Sequence, residues 1–297
     1  MIDVAVVGSL HLDIMVKAPR LPGRDETLMG SAWHYKCGGK GGNQAVAAAQ
    51  FDARTRFGGR TGQDDFGERL RANLVAAGVD IAHVGLDASQ GSGMSVAIEE
   101  AGGEYGAVVV SGANLTIDAA AIEARWAPLW NARVLLLQNE IPEAVNLAAA
   151  RAVRAKGAVV ILNAAPARAM SEAFLDLVDV LVVNRLEAEM LSGRSDAEGA
   201  LIALHSPRRD VVLTLGGDGL MLMMRDGRRI DIPALAVTLL SSHGAGDCFC
   251  GALAARLAAG DGLEQACRYA RTAAGLFVSS AEDQRPAITH DRVLQSL

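Results

Sequence analysis

Apolar residues in this chain gather in short unbroken runs rather than alternating with polar ones. Such runs occupy 4–7, 134–137, 158–162, 180–183 and 211–215, each bounded by glycine or polar residues. Between them lie alanine-rich segments of helical period, such as 143–156, with Leu147, Val153 and several alanines on one side. A continuous β-branched run suits a strand covered on both faces, and its alternation with helices gives βαβ units and a parallel sheet. The pattern predicts an α/β fold: a three-layer α/β/α sandwich with a mostly parallel central sheet, binding ligands at the carboxyl ends of its strands.

Two stretches break this rhythm. Residues 14–36 read as extended and polar, with Leu28, Trp33 and Tyr35 spaced along them. Residues 92–111 read as strands 93–99 and 105–110 joined by Glu100-Ala101-Gly102-Gly103-Glu104, a hairpin signal. The expected organisation is a core built from 1–13, 37–91 and 112–297, with 14–36 and 92–111 forming a small β-sheet lid.

Composition narrows the function classes. The 297 residues include 28 Lys and Arg against 34 Asp and Glu, a formal charge of −6, and no basic run stands out. Nucleic acid is therefore not an expected partner. The four cysteines, Cys37, Cys248, Cys250 and Cys267, form no CxxC pair, which fits a reducing compartment. No signal segment and no long apolar span are evident, so the reading is a cytoplasmic chain without a membrane partner. Glycine, at 32 residues, exceeds the typical share of about 7%. Aromatics are only 4%, so backbone rather than bulky side chains should shape a site.

Two glycine clusters carry candidate chemistry. Ser241-Ser242-His243-Gly244-Ala245-Gly246-Asp247 enters a helical segment, so free N–H groups at the positive end of a helix dipole would meet an anion. Asp247 fits two readings there: an acid stabilised as a helix cap, or a base taking a proton from an attacking hydroxyl. The second cluster, Gly38-Gly39-Lys40-Gly41-Gly42-Asn43, opens into an alanine helix and lets a ligand approach the backbone. It lacks the GKS/T ending of a P-loop, and by itself it is equally a tight strand-to-helix turn.

Taken together with Gly8-Ser9-Leu10-His11-Leu12-Asp13, Ser111-Gly112-Ala113-Asn114, Gln138-Asn139-Glu140-Ile141-Pro142, Asn163-Ala164-Ala165-Pro166, Asn184-Arg185-Leu186-Glu187 and Thr214-Leu215-Gly216-Gly217-Asp218-Gly219, the clusters make an ordered series. In that order the chain resembles the ribokinase (PfkB) family of carbohydrate kinases along nearly its whole length, its ribokinase-like members above all. The resemblance implies phosphoryl transfer from ATP to a sugar hydroxyl. It assigns Asp247 as catalytic base and the N–H groups of Gly244, Ala245 and Gly246 as an anion hole. It places His11, Asp13, Gly39, Lys40, Asn43, Glu140 and Asp247 itself against the sugar, and Asn184, Thr214, Gly216 and Gly219 against the nucleotide. Asn184 and Glu187 would order Mg²⁺ through water. Exposed strands of the expected lid also favour a homodimer through it, because an unpaired edge invites a second copy. Read alone, Asp13 is a turn residue, Glu140 caps the next helix, Asn184 and Glu187 form a capping box, and Cys248 and Cys250 pack a helix.

The chain departs from the family at several positions. His11 replaces an asparagine expected against the sugar, which keeps a nucleoside, another pentose or a hexose open as substrate. A sugar-binding regulator without catalysis is the reading from another class, and the intact Asp247, Asn184 and Glu187 speak against it. Ser241-Ser242 replaces an Asp-Thr pair whose aspartate helps hold an activating monovalent cation. The sequence therefore predicts weak or no activation by K⁺. Phosphorylation rates with and without K⁺ at fixed ionic strength test this, and a large increase on adding K⁺ would refute it.

Overall fold

The structure is a computed structural model and describes residues 2–100, 102 and 105–297. Ala101, Gly103 and Glu104, on which the expected hairpin loop falls, lie outside the described residues. The strands are β1 (Ile2–Val7), β2 (His11–Ala18), β3 (Ala32–Gly38), β4 (Thr55–Gly62), β5 (Asp80–Asp87), β6 (Gly93–Glu100) and β7 (Tyr105–Val110). They continue as β8 (Ala132–Gln138), β9 (Val159–Asn163), β10 (Val180–Asn184), β11 (Asp210–Thr214), β12 (Leu220–Met223) and β13 (Arg229–Ile232).

Nine of these form one sheet in the order β13-β12-β11-β10-β9-β8-β1-β4-β5. It is parallel except at β11–β12 and β12–β13, as the unbroken apolar runs predict. Its two faces bury separate cores. Val4, Val6, Val134 and Leu136 pack on one side, and Ala5, Val7, Leu135 and Leu137 on the other. Alternate side chains of a strand point to opposite faces, so a strand covered on both must be apolar at every position. The first core is closed by the helices Lys40–Gln50, Asp65–Ala76, Ala245–Ala259 and Leu263–Val278. The second is closed chiefly by Glu143–Arg154, Arg185–Ser192 and Ala197–Leu204.

A second, four-stranded sheet has the order β3-β2-β6-β7, with β2–β6 parallel and its other two pairings antiparallel. Strand β2 begins at His11, opposite Gly38 of β3 and Gly93 of β6. His11 and Asp13 thus lie inside a strand rather than in a turn. Among the described residues, no helix is long and apolar enough to cross a membrane.

Helix 245–259 runs through the first core, with Cys248–Ala255 buried around its circumference. It meets helix 40–50 at Gly251, where an added Cβ would stand 2.5 Å from Ala47 Cβ and 2.7 Å from the Gln44 carbonyl oxygen. Glycine is required here by close approach of two helices, not by its backbone angles. We expect Gly251→Val to push the helices apart and to cost about 1–3 kcal/mol of stability. A lower urea midpoint would register this, and an unchanged midpoint would contradict the packing described.

Candidate functional site

The strands β1, β8, β9, β10 and β11 all end at one edge of the large sheet, and the residues singled out by sequence follow those ends. Glu140 comes two residues after β8, Asn184 closes β10, and Thr214 closes β11 directly opposite Asn184. The helix starting at Lys40 and the helix starting at Ala245 aim their N-termini at the same edge, and their close packing at Gly251 sets the distance between them.

Asp247 stands in the first turn of its helix, half-buried. Asn43 Nδ2 donates to its Oδ2 at 3.0 Å and Gln44 Nε2 to its Oδ1 at 2.9 Å. Burial pushes the carboxyl above the ordinary aspartate value, opposed by the Lys40 ammonium and by the two amide donors, while Glu140 adds to the rise. Burial and the balance of its neighbours leave this carboxyl more basic than a solvated one.

The same helix begins at Gly244 in the left-handed region (φ 84°), with no side chain capping its first turn. Of the three N–H groups expected there, that of Ala245 turns back onto the Ser242 carbonyl at 3.2 Å. Those of Gly246 and Asp247 belong to the first turn, where an α-helix supplies no acceptor of its own. Together with the dipole they make a place for an anion.

Lys40 is half-buried. Burial works against its charge, but the carboxylates of Asp247, Glu140 and Glu187 hold its ammonium above the ordinary lysine value. Glu140 ties two segments together by accepting from the Lys40 backbone N–H at 2.8 Å and from the Ser9 hydroxyl. His11 is 4% exposed, with Nδ1 at 3.9 Å from Glu140 Oε2. Its Nε2 is buried and has no partner among the described residues. Asp13 accepts from the Ser95 hydroxyl, and Gly38 leaves room for it, since a Cβ there would lie 2.2 Å from Asp13 Oδ2.

Asn184 and Glu187 do form a capping box. Asn184 Oδ1 accepts from the Glu187 N–H and Glu187 Oε2 from the Asn184 N–H, both at 2.9 Å. Glu187 Oε1 takes no part in it. Burial raises the Glu187 carboxyl above its ordinary value, with Lys40 opposing and Asp247 reinforcing the rise. Thr214 donates to the Val183 carbonyl at 3.3 Å. Gly216 is exposed at φ 61°. Gly219 is buried, and a side chain there would strike the Ile232 carbonyl at 2.2 Å, so the turn itself demands glycine. Cys248 and Cys250 are buried, and burial pushes the Cys248 thiol up to about 12, so both are packing residues.

Sequence reasoning missed four polar residues of this edge: Ser9, Gln44, Ser95 and Asn163. Gln44 carried a signal, being a fully buried amide in an otherwise alanine-rich face. Ser9 and Asn163 stood inside motifs already noted, whereas Ser95 becomes visible only through the pairing of β2 with β6, which sets it opposite Asp13.

Comparison with known proteins accords with this layout. The model of the pfkB family carbohydrate kinases matches residues 1–290. The ribokinase of Bacillus subtilis is 32% identical over 295 residues, covering 99% of each chain. A deoxyribokinase of Salmonella typhi is 29% identical over 259 residues, covering 85% of this chain and 84% of its own. The structure of Arabidopsis thaliana ribokinase complexed with ribose and ATP superimposes with a TM-score of 0.89 at 28% identity, covering 100% of this chain and 99% of that one.

Proposed function

Because the chain belongs to the pfkB family of carbohydrate kinases, we propose that it transfers the γ-phosphoryl group of ATP to a hydroxyl of ribose or a closely related sugar. The observation that carries this reading is the Asp247 carboxylate, held by two amide donors in the first turn of an uncapped helix and influenced by the Lys40 charge. Relatives that act on ribose and deoxyribose support the substrate class.

In this mechanism Asp247 accepts the proton of the sugar hydroxyl as its oxygen attacks the γ-phosphorus. The N–H groups around Gly244, Ala245 and Gly246, with the helix dipole, meet the charge on the transferring group. His11, Asp13, Gly39, Lys40, Asn43 and Glu140 orient the sugar, the carboxylates accepting from hydroxyls and the amide and ammonium donating to them. Thr214, Gly216 and Gly219 shape the nucleotide side with Asn184. When bound, Mg²⁺ would supply charge neutralisation, and Asn184 and Glu187 are the residues that would order it through water. Glu187 Oε1, left over from the capping box, fits an indirect role through water better than direct ligation, in keeping with magnesium's retained hydration. The small sheet closes over the sugar and excludes water as a competing acceptor.

Asp247→Asn is expected to lower kcat by about 10²–10⁴-fold while sugar binding, read by titration calorimetry, stays near normal. The base must be ionised, so activity falls as pH drops through its folded-state value. Because that value is raised, the acid limb of kcat/KM should lie above the ordinary aspartate value of about 3.9. Near-normal turnover of the variant would remove Asp247 from the role of base.

We also propose that the small sheet joins two copies. Strand β7 is an edge whose Val108, Val109 and Val110 are exposed, and Trp33 on β3, the opposite edge strand, is 63% exposed. Unpaired apolar edges of this kind invite a second chain. Sedimentation equilibrium should give a dimer that Val109→Lys dissociates; a monomer at micromolar concentration would refute it.

A further inference from the structure

Gln44 lies one residue beyond the glycine-rich turn, and its side chain is completely buried. Its Nε2 donates both hydrogens, to Asp247 Oδ1 at 2.9 Å and to Asn163 Oδ1 at 3.0 Å, and its Oε1 accepts from Gln138 Nε2 at 2.7 Å. An amide can be turned end for end, so the fold must be asked which way it fixes this one. Asn163 answers independently of Asp247. Its Nδ2 points at the Val182 carbonyl, 3.4 Å away, and a carbonyl only accepts. Asn163 therefore shows an oxygen to Gln44, and Gln44 must answer with its NH₂ group. Gln138 completes the order from the other side by donating to Gln44 Oε1.

We propose that Gln44 is a positioning residue for Asp247: strand ends β8, β9 and β10 fix its amide so that an N–H, never a carbonyl, faces the carboxylate. This rests on the reading of Asp247 as the base. An N–H toward Oδ1 favours the ionised form and stops the carboxylate from rotating. Asn43 makes the matching bond to Oδ2, but it is half-buried and is also expected to meet the sugar. Gln44 is sealed from solvent, so its bond persists whether or not substrate is present. Asp247 is otherwise surrounded by Lys40, Glu140, Glu187, His243 and the thiols of Cys248 and Cys250. Substitutions at Gln44 leave all of these in place.

The test compares kcat, sugar KM and the pH dependence of kcat/KM for the full chain, Gln44→Met and Gln44→Glu. Gln44→Met removes the donor, and is expected to lower kcat about tenfold or more, keep KM within about twofold, and move the acid limb to higher pH. Gln44→Glu keeps the size but sets a second carboxyl against Asp247, so the limb should move up by about one pH unit or more. If Gln44→Met fails to fold, as judged by tryptophan fluorescence and its thermal midpoint, Gln44→Glu decides alone. A fall in kcat with the limb unmoved assigns Gln44 to packing and overturns the proposal, as do wild-type profiles. Asp247→Asn separates the two levels. If it retains turnover, the reading of the base fails; if it abolishes turnover while the Gln44 variants keep the wild-type limb, only the role of Gln44 fails.

Discussion

The site depends on two helices lying closer than side chains normally allow. Gly251 sets its backbone against Ala47, Ala48 and the Gln44 carbonyl. That contact fixes the distance between the helix carrying Asp247 and the helix carrying Lys40, Asn43 and Gln44. Asp247 lies one turn before Gly251, and Gln44 one turn before Ala48, so the packing contact and the amide-to-carboxylate bond share the same few turns. A shift of an ångström between these axes would break both amide bonds to the carboxylate, whose lengths of 2.9 and 3.0 Å leave little slack. The alanine richness of helix 40–50 has the same origin: a larger residue at Ala47 or Ala48 would force the axes apart.

That geometry places a carboxylate where burial disfavours its charge. Two charge-assisted hydrogen bonds, each worth about 1.5–3 kcal/mol, and the nearby ammonium of Lys40 work against that cost. They do not cancel it, since Asp247 remains raised. The balance leaves the Asp247 carboxyl more basic than a solvated one. Lys40 shows the complementary result: three carboxylates outweigh its burial and secure its charge. Glu140 contributes to both balances while also anchoring the helix that carries Lys40. Structural and electrostatic roles fall on the same side chains, so a change at any one of them is felt at the others.

The layered architecture was legible in the chain because burial on both faces leaves an unmistakable mark. Runs such as Val134, Leu135, Leu136 and Leu137 have no other economical explanation. Glu140, Asn184 and Thr214 were singled out through the family resemblance, and the structure sets them at or just beyond the ends of β8, β10 and β11. Less legible was anything depending on pairing between distant segments. Ser95 reaches Asp13 only because β2 pairs in parallel with β6, a register without a local signal. Gln44 is a similar case: an amide in an alanine helix is visible, but its partners Asn163 and Gln138 come from the ends of two other strands. The capping box at Asn184 and Glu187 was foreseen from spacing alone, because its bonds are local.

The two sheets are joined by the same chemistry that prepares the site. Strand β1 leads through Gly8, Ser9 and Leu10 directly into β2, so the large sheet and the small one share a covalent path only three residues long. Glu140 grips that path at Ser9 and grips helix 40–50 at Lys40, while its carboxylate stands 3.9 Å from His11 at the start of the small sheet. Gly39 permits this convergence, because a Cβ there would collide with the backbone of Ser9, Leu10 and His11. The segment before His11 is held from both sides, by Glu140 and by Asn114, whose amide bonds both the N–H and the carbonyl of Leu10.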